Sequence, residues 1–231
     1  RGQDTGMLRD LREGWSEFRS HTWLWVIVAQ FCAILMAWYG AFEVLGPVVA
    51  RTHFHGAAAW GAITAAESVG LIAGGFVSLK FTPRRPMLFI VVIGGAIAIS
   101  PVSLAAPWPL PVVCLASLFL GVTLEMTMVQ WTVALARRIP PQMLARVSSY
   151  DALGSVMAMP VGALVAGPLA AAIGVSAAQY GAAALIVVAT LLALMPREIR
   201  RFRATDLPAP ADGVVPAGAG ATPAPREHAA A

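Results

Sequence analysis

Residues 57–85 read AAAWGAITAAESVGLIAGGFVSLKFTPRR, and this stretch decides the fold. From Ala57 to Leu79 a single charged side chain, Glu67, interrupts a run of apolar and small residues. About 20 such residues carry an α-helix across the hydrocarbon of a bilayer. There is no period-two alternation of the kind a barrel strand shows. In lipid a lone segment can satisfy its backbone groups only as a helix. The run ends at Lys80, with Arg84 and Arg85 in a Pro-containing connection beyond it. One stretch thus supplies a span, its stop, its cationic flank and an acid near its middle.

Working outward, five more runs satisfy the same criterion: Trp23 to Val49, Met87 to Ala106, Leu110 to Ala136, Tyr150 to Ile173 and Val175 to Met195. Gly174 divides the last two. The expected fold is all-α, a polytopic membrane bundle of six transmembrane helices over 23–203. A cytoplasmic linker with an amphipathic helix is expected at 1–22 and a disordered cytoplasmic tail at 204–231. In the linker Leu8, Leu11, Trp15 and Phe18 recur at helical spacing. The tail is mostly Pro, Ala and Gly, with little to bury.

Composition agrees. Hydrophobic residues make up 58% of the 231 and charged residues 12%, against about 45–50% and about 25% in soluble domains. Mean hydropathy is +0.72. The net charge of +4 does not point to nucleic acid, because the basic residues flank apolar runs. With Arg226 in the distal tail left out, fourteen Lys and Arg lie at the two ends and in alternate connections, whereas Arg51 stands alone on the other side. By the positive-inside rule both termini are cytoplasmic, and the multi-pass protein belongs in the cell membrane. Trp23, Trp25, Trp60 and Trp108 fall near the expected interfaces.

Cys32 and Cys114 sit within apolar runs without ligand spacing and read as packing residues. The four histidines lie outside the spans, and HExxH, GxSxG and phosphate-cradling Gly-Lys motifs are absent. The sequence therefore calls for no metal, no cofactor and no enzyme chemistry.

Small residues let helices in lipid approach closely. Gly70 and Gly74 form a GxxxG, and Gly154, Ala158, Gly162 and Ala166 follow at intervals of four. These faces are either packing seams or surfaces that slide against a partner bundle. Carboxylates are the informative exceptions. Glu67 lies mid-span and Glu125 somewhat past the middle of the fourth run, with no Lys or Arg in any span to pair with them. A charge there is costly and usually faces the bundle interior or a water-filled cavity. Thr64 joins the Glu67 face, Thr132 the Glu125 face, and Gln130 adds a polar group nearby. Together they are candidates for a substrate or proton pathway; the alternative is an acid bonded to a neighbouring hydroxyl. Asp151, after Ser148 and Ser149, is expected at the start of the fifth helix, where capping and the helix dipole suit it.

The sequence Arg137-Arg138-Ile139-Pro140-Pro141-Gln142-Met143-Leu144-Ala145-Arg146-Val147-Ser148-Ser149, with Tyr150 to Ser155, Pro160-Val161-Gly162 and Ala166-Gly167-Pro168-Leu169 after it, resembles the region joining helices ten and eleven of the major facilitator superfamily. The likeness is greatest to its transmembrane secretion effector, or enterobactin-exporter-like, drug efflux branch. Leu11 to Trp15 with Phe18-Arg19 resembles that branch's central linker, and Val44 to Val49 the end of its helix seven. Gly75 to Arg85 resembles a degraded copy of the loop motif, without its acidic residue. Arg84, Arg85, Arg146 and Asp151 are accordingly candidates for a cytoplasmic gate or loop.

The resemblance covers about residues 8 to 200 and implies the C-terminal six-helix half of a twelve-helix transporter. It further implies a small-molecule substrate such as a lipophilic or amphiphilic drug or siderophore, H⁺ or Na⁺ as coupling ion, and a missing N-terminal six-helix half as partner. The alternative is a non-transporting structural or vestigial bundle.

Overall fold

The computed structural model describes residues 22–106, 108–139 and 141–201. The expected linker, apart from Thr22, and the expected tail at 204–231 lie outside the described residues. Among the described residues, six helical segments are long and apolar enough to cross a membrane: Thr22–His53, Ala57–Lys80, Pro86–Ala105, Leu110–Arg138, Asp151–Ile173 and Val175–Ala193. The expected spans are therefore present to within a few residues, and the described residues contain no strand.

Two of the span prolines, Pro47 and Pro101, coincide with a change of helix type, whereas Pro160 and Pro168 lie within a continuous helix. The first span is α1 (Thr22–Trp38), a π-helical turn (Tyr39–Val44) and α2 (Gly46–His53). Pro47 has no N–H to continue an α-ladder, and just before it the pattern widens, with Leu45 N–H donating to Gly40 O at 3.1 Å. Gln179 reaches across from another span, donating from Nε2 to Ala41 O at 2.8 Å. α3 is Ala57–Lys80. The third span breaks into α4 (Pro86–Gly95), a 3₁₀ turn (Ala96–Ala98) and α5 (Ile99–Ala105), the turn lying just ahead of Pro101. α6 is Leu110–Arg138 and α7 is Pro141–Ile173, followed by α8 (Val175–Ala193) and the short α9 (Arg197–Arg201).

One boundary differs from the sequence expectation. Arg146 was expected in a connection and Asp151 at a helix start, but α7 already begins at Pro141. Proline is favoured at a first helical position, where no N–H is needed. The polar turns around Arg146 extend the helix beyond its apolar window, and Asp151 lies well inside it. Capping does not explain that acid. The division at Gly174 is as expected, and its φ of 89° explains why glycine turns one helix directly into the next.

Close approach is concentrated in two glycine seams. A Cβ added at Gly70 would meet the Leu118 carbonyl, and one at Gly121 the Glu67 carbonyl. α3 and α6 are thus in backbone contact along much of their length. A second seam joins the first and fifth spans: a Cβ at Gly162 would meet Met36 O, and one at Gly40 would stand 2.7 Å from Gly162 O. Outward faces carry Ile72, Phe76, Leu164 and Leu191, which costs nothing against lipid. Trp25 and Trp108 also face outward, as an aromatic belt would, but Trp23 is wholly buried.

Candidate functional site

A cavity of about 390 Å³ opens between the first, second, fourth and fifth spans. α1 contributes Phe31, Leu35 and Trp38, and α3 contributes Leu71. Leu124, Glu125, Met128 and Trp131 come from α6, and Asp151, Ala152, Ser155 and Met159 from α7. The volume lies within the usual small-molecule range, as does the pattern of apolar walls with a few convergent polar groups.

The two acids in this wall are held differently. Asp151 accepts a hydrogen bond from Trp131 Nε1 at 2.8 Å. That indole is nearly buried and packs edge-on against Trp23 at 6.1 Å and tilted against Phe31 at 6.2 Å. Trp23 lies in turn beneath the Arg138 guanidinium, 4.7 Å from its carbon, and Arg138 pairs with Glu198 at 3.6 Å. A continuous set of contacts therefore runs from the cavity to the end of the bundle that carries the basic residues. Glu125 has no hydrogen-bond or ion-pair partner among the described residues. It stands where the α3–α6 seam meets the cavity, its Cβ 3.0 Å from where a Cβ on Gly74 would be. Its carboxylate is free to answer a ligand. Trp38 adds an indole N–H that is buried without a partner.

The other sequence candidates are dispersed. Glu67 is buried on the α3 side of the seam and outside the lining of this cavity. Thr64 donates to Trp60 O at 3.1 Å and Thr132 to Met128 O at 2.9 Å, so both hydroxyls bond their own helices. Gln130 ties the connection after α3, donating to Phe81 O at 3.0 Å. Arg84 and Arg85 lie in that connection, with Arg85 reaching the Arg200 carbonyl at 3.5 Å. The Arg146 side chain is outside the described residues. Gly154 lies against Cys32, 3.2 Å from the sulfur to a built Cβ, and Ala158 is buried in the same helix. Among the described residues no cluster of His, Cys, Asp and Glu could hold a metal ion.

Sequence reading missed Trp131 and the aromatic wall. A signal existed: Trp131 stands away from any expected interface, and a buried indole N–H needs an acceptor.

Relatives among known proteins fit this architecture. The chain is 33% identical over 182 residues to the enterobactin exporter EntS of Escherichia coli O1:K1, covering 74% of this chain and 42% of the relative. Against the enterobactin exporter EntS of Citrobacter koseri it is 32% identical over 173 residues, 73% of this chain and 41% of the relative. The chain belongs to the major facilitator superfamily. It spans about two fifths of the length of these curated relatives. Major facilitator proteins are built from two six-helix halves related as parallel repeats, with substrate near the midplane between them. Six spans fit one such half. No protein-family model and no solved structure matches the chain significantly.

Proposed function

We propose that the chain is the C-terminal half of a secondary active exporter in the cell membrane, with the basic end of the bundle cytoplasmic. The observation that carries this reading is the cavity between four spans, where unpaired Glu125 and bonded Asp151 meet an aromatic and methionine wall. The relatives named above are enterobactin exporters, which supports export of a lipophilic or amphiphilic small molecule. The other half of the cavity belongs to an N-terminal six-helix half, joined through the segment before Thr22. This half then works by rocking against that one rather than by chemistry, so the chain is no enzyme.

Coupling falls to Glu67. It is buried in a span without a basic partner, where the charged form is costly, so it is suited to take up and release a proton as the halves move. The test is to express this chain alone and together with a matching N-terminal half, then follow efflux of a lipophilic dye from energised cells. Export should require both pieces and collapse with the proton gradient. Vectorial export by the chain alone would refute the half-transporter reading.

A further inference from the structure

We propose that a groove between the first and sixth spans binds an anionic phospholipid, with one acyl chain against α1 and α8 and the headgroup on the arginines of α9. The inference rests on the membrane-spanning fold and not on the transporter reading. The groove has a volume of about 450 Å³ and opens on the surface of the bundle, where Trp25, Val188, Leu192 and Met195 are exposed. Small residues make room for it: Ala29 and Ala33 on α1, Ala189 and Ala193 on α8. At about 100° of helix rotation per residue, these α1 positions lie on the face opposite Phe31, Leu35 and Trp38, which line the central cavity. The groove is therefore a separate site.

Length and charge select the occupant. Along α8 the lining runs from Leu185 to Ala193 and on to Pro196, about 12 Å of helix and a turn beyond it. One leaflet of hydrocarbon is about 15 Å deep, so the groove takes an acyl chain from the leaflet at the basic end of the bundle. Trp25 stands toward that end, where indoles meet headgroups. The helix spacing is fixed by the Gln30 amide, which donates to Val91 O at 3.0 Å and to Thr190 Oγ1 at 3.1 Å, tying the first, third and sixth spans.

α9 starts directly after Pro196. Arg200 Nη2 donates to Met195 O at 3.3 Å and the Arg200 carbonyl accepts from Arg85 at 3.5 Å, which holds α9 at the mouth of the groove. Arg197 and Arg201 are exposed and four residues apart, hence on one face. Neither has an ion-pair or hydrogen-bond partner among the described residues. The one acid of α9, Glu198, is taken up by Arg138 at 3.6 Å. Two unpaired guanidinium groups above an apolar slot fit a phosphate that carries an acyl chain, and they favour a lipid of net negative charge over a zwitterionic one.

The probe is phosphatidylglycerol, set against phosphatidylcholine with the same acyl chains. Both would be offered in equal amounts to the delipidated full-length protein in detergent, and the retained lipid counted by native mass spectrometry. Phosphatidylglycerol should be retained about tenfold more than phosphatidylcholine. Arg197→Gln with Arg201→Gln should abolish that preference, whereas Arg197→Lys with Arg201→Lys should keep most of it. Ala29→Leu fills the groove and leaves the charge in place, so it should lower retention of both lipids about fivefold. A phosphatidylglycerol with a photoactivatable chain end should label the wall around Ala33 and Leu185. Equal retention of the two lipids, an unchanged preference after both arginines are neutralised, or labelling elsewhere in the bundle would overturn the proposal. No retained lipid at all would also overturn it, since another part of the protein would then cover the groove. Thermal melts accompany each variant; should Ala29→Leu misfold, the arginine pairs and the labelling decide.

Discussion

The α3–α6 seam and the cleft between the first, second, fourth and fifth spans sit side by side, share helices α3 and α6, and each carry an acid. In the seam, Gly70, Gly74 and Gly121 bring two backbones together so closely that a methyl group would strike a carbonyl. In the cleft, Phe31, Trp38, Trp131 and Met159 hold the helices apart and leave about 390 Å³ between them. In lipid, apolar contact alone does not distinguish a helix neighbour from a hydrocarbon chain. Side-chain size at a few positions therefore decides which interfaces close and which stay open. Glu67 falls on the closed interface and Glu125 at its border with the open one, a step of one helix width that changes what each carboxyl group can touch.

The most disruptive way to probe this contrast is to add a methyl group to the seam. Gly121→Ala should destabilise the full-length protein by roughly 1–3 kcal/mol, toward the upper end because the obstacle is the Glu67 backbone and not a movable side chain. Gly167→Ala, which meets nothing within 4 Å, should leave stability unchanged or slightly raised. Thermal melts in one detergent would compare the two directly. Equal melts would mean that the seam is not closed as described.

A milder change probes the cleft. Trp131→Phe keeps a ring against Trp23 and Phe31 but leaves Asp151 without its donor. The loss should be about 1–2 kcal/mol, the range for a hydrogen bond to a charged or buried group. Pairing it with Asp151→Asn in a double-mutant cycle should show clear coupling. Strict additivity would separate the two residues and break the link from cavity to basic end.

The least perturbing probe concerns which end of both regions faces the cytoplasm. With Cys32 and Cys114 replaced, single cysteines at Thr82 and Gln142 should resist an impermeant thiol reagent outside intact cells, and those at Thr52, Trp108 and Ser176 should react. These sites lie at the ends of spans, so export should be nearly unchanged. Labelling of Gln142 from outside would invert the proposed orientation.

Much of this arrangement was legible in the sequence. Run length and the Lys and Arg pattern located all six spans, because a span's requirement for apolar length is absolute. Gly174 was readable because a reversal in a single residue needs a positive φ. The GxxxG at Gly70 marked one side of the seam. Its partner, Gly121, lies alone in its helix, and a single glycine carries no pattern. Asp151 was misplaced because an apolar window reports where hydrocarbon begins and not where a helix begins; Pro141 held the better clue. The bond between Trp131 and Asp151 joins residues on different helices, and no local pattern announces it. Glu67 and Glu125 looked alike in sequence, and only the packing of α3 on α6 sets them on different sides of a boundary.

That separation predicts a division of labour, which substrate flux in proteoliposomes tests most directly. The full-length transporter would be reconstituted as Glu67→Gln and as Glu125→Gln, and accumulation followed with and without an imposed pH gradient. Glu67→Gln should abolish gradient-driven accumulation while downhill exchange and substrate binding persist. Glu125→Gln should weaken substrate binding and lower flux under both conditions, leaving the remaining flux responsive to the gradient. Unchanged gradient-driven accumulation in Glu67→Gln, or the same phenotype from both variants, would contradict the account.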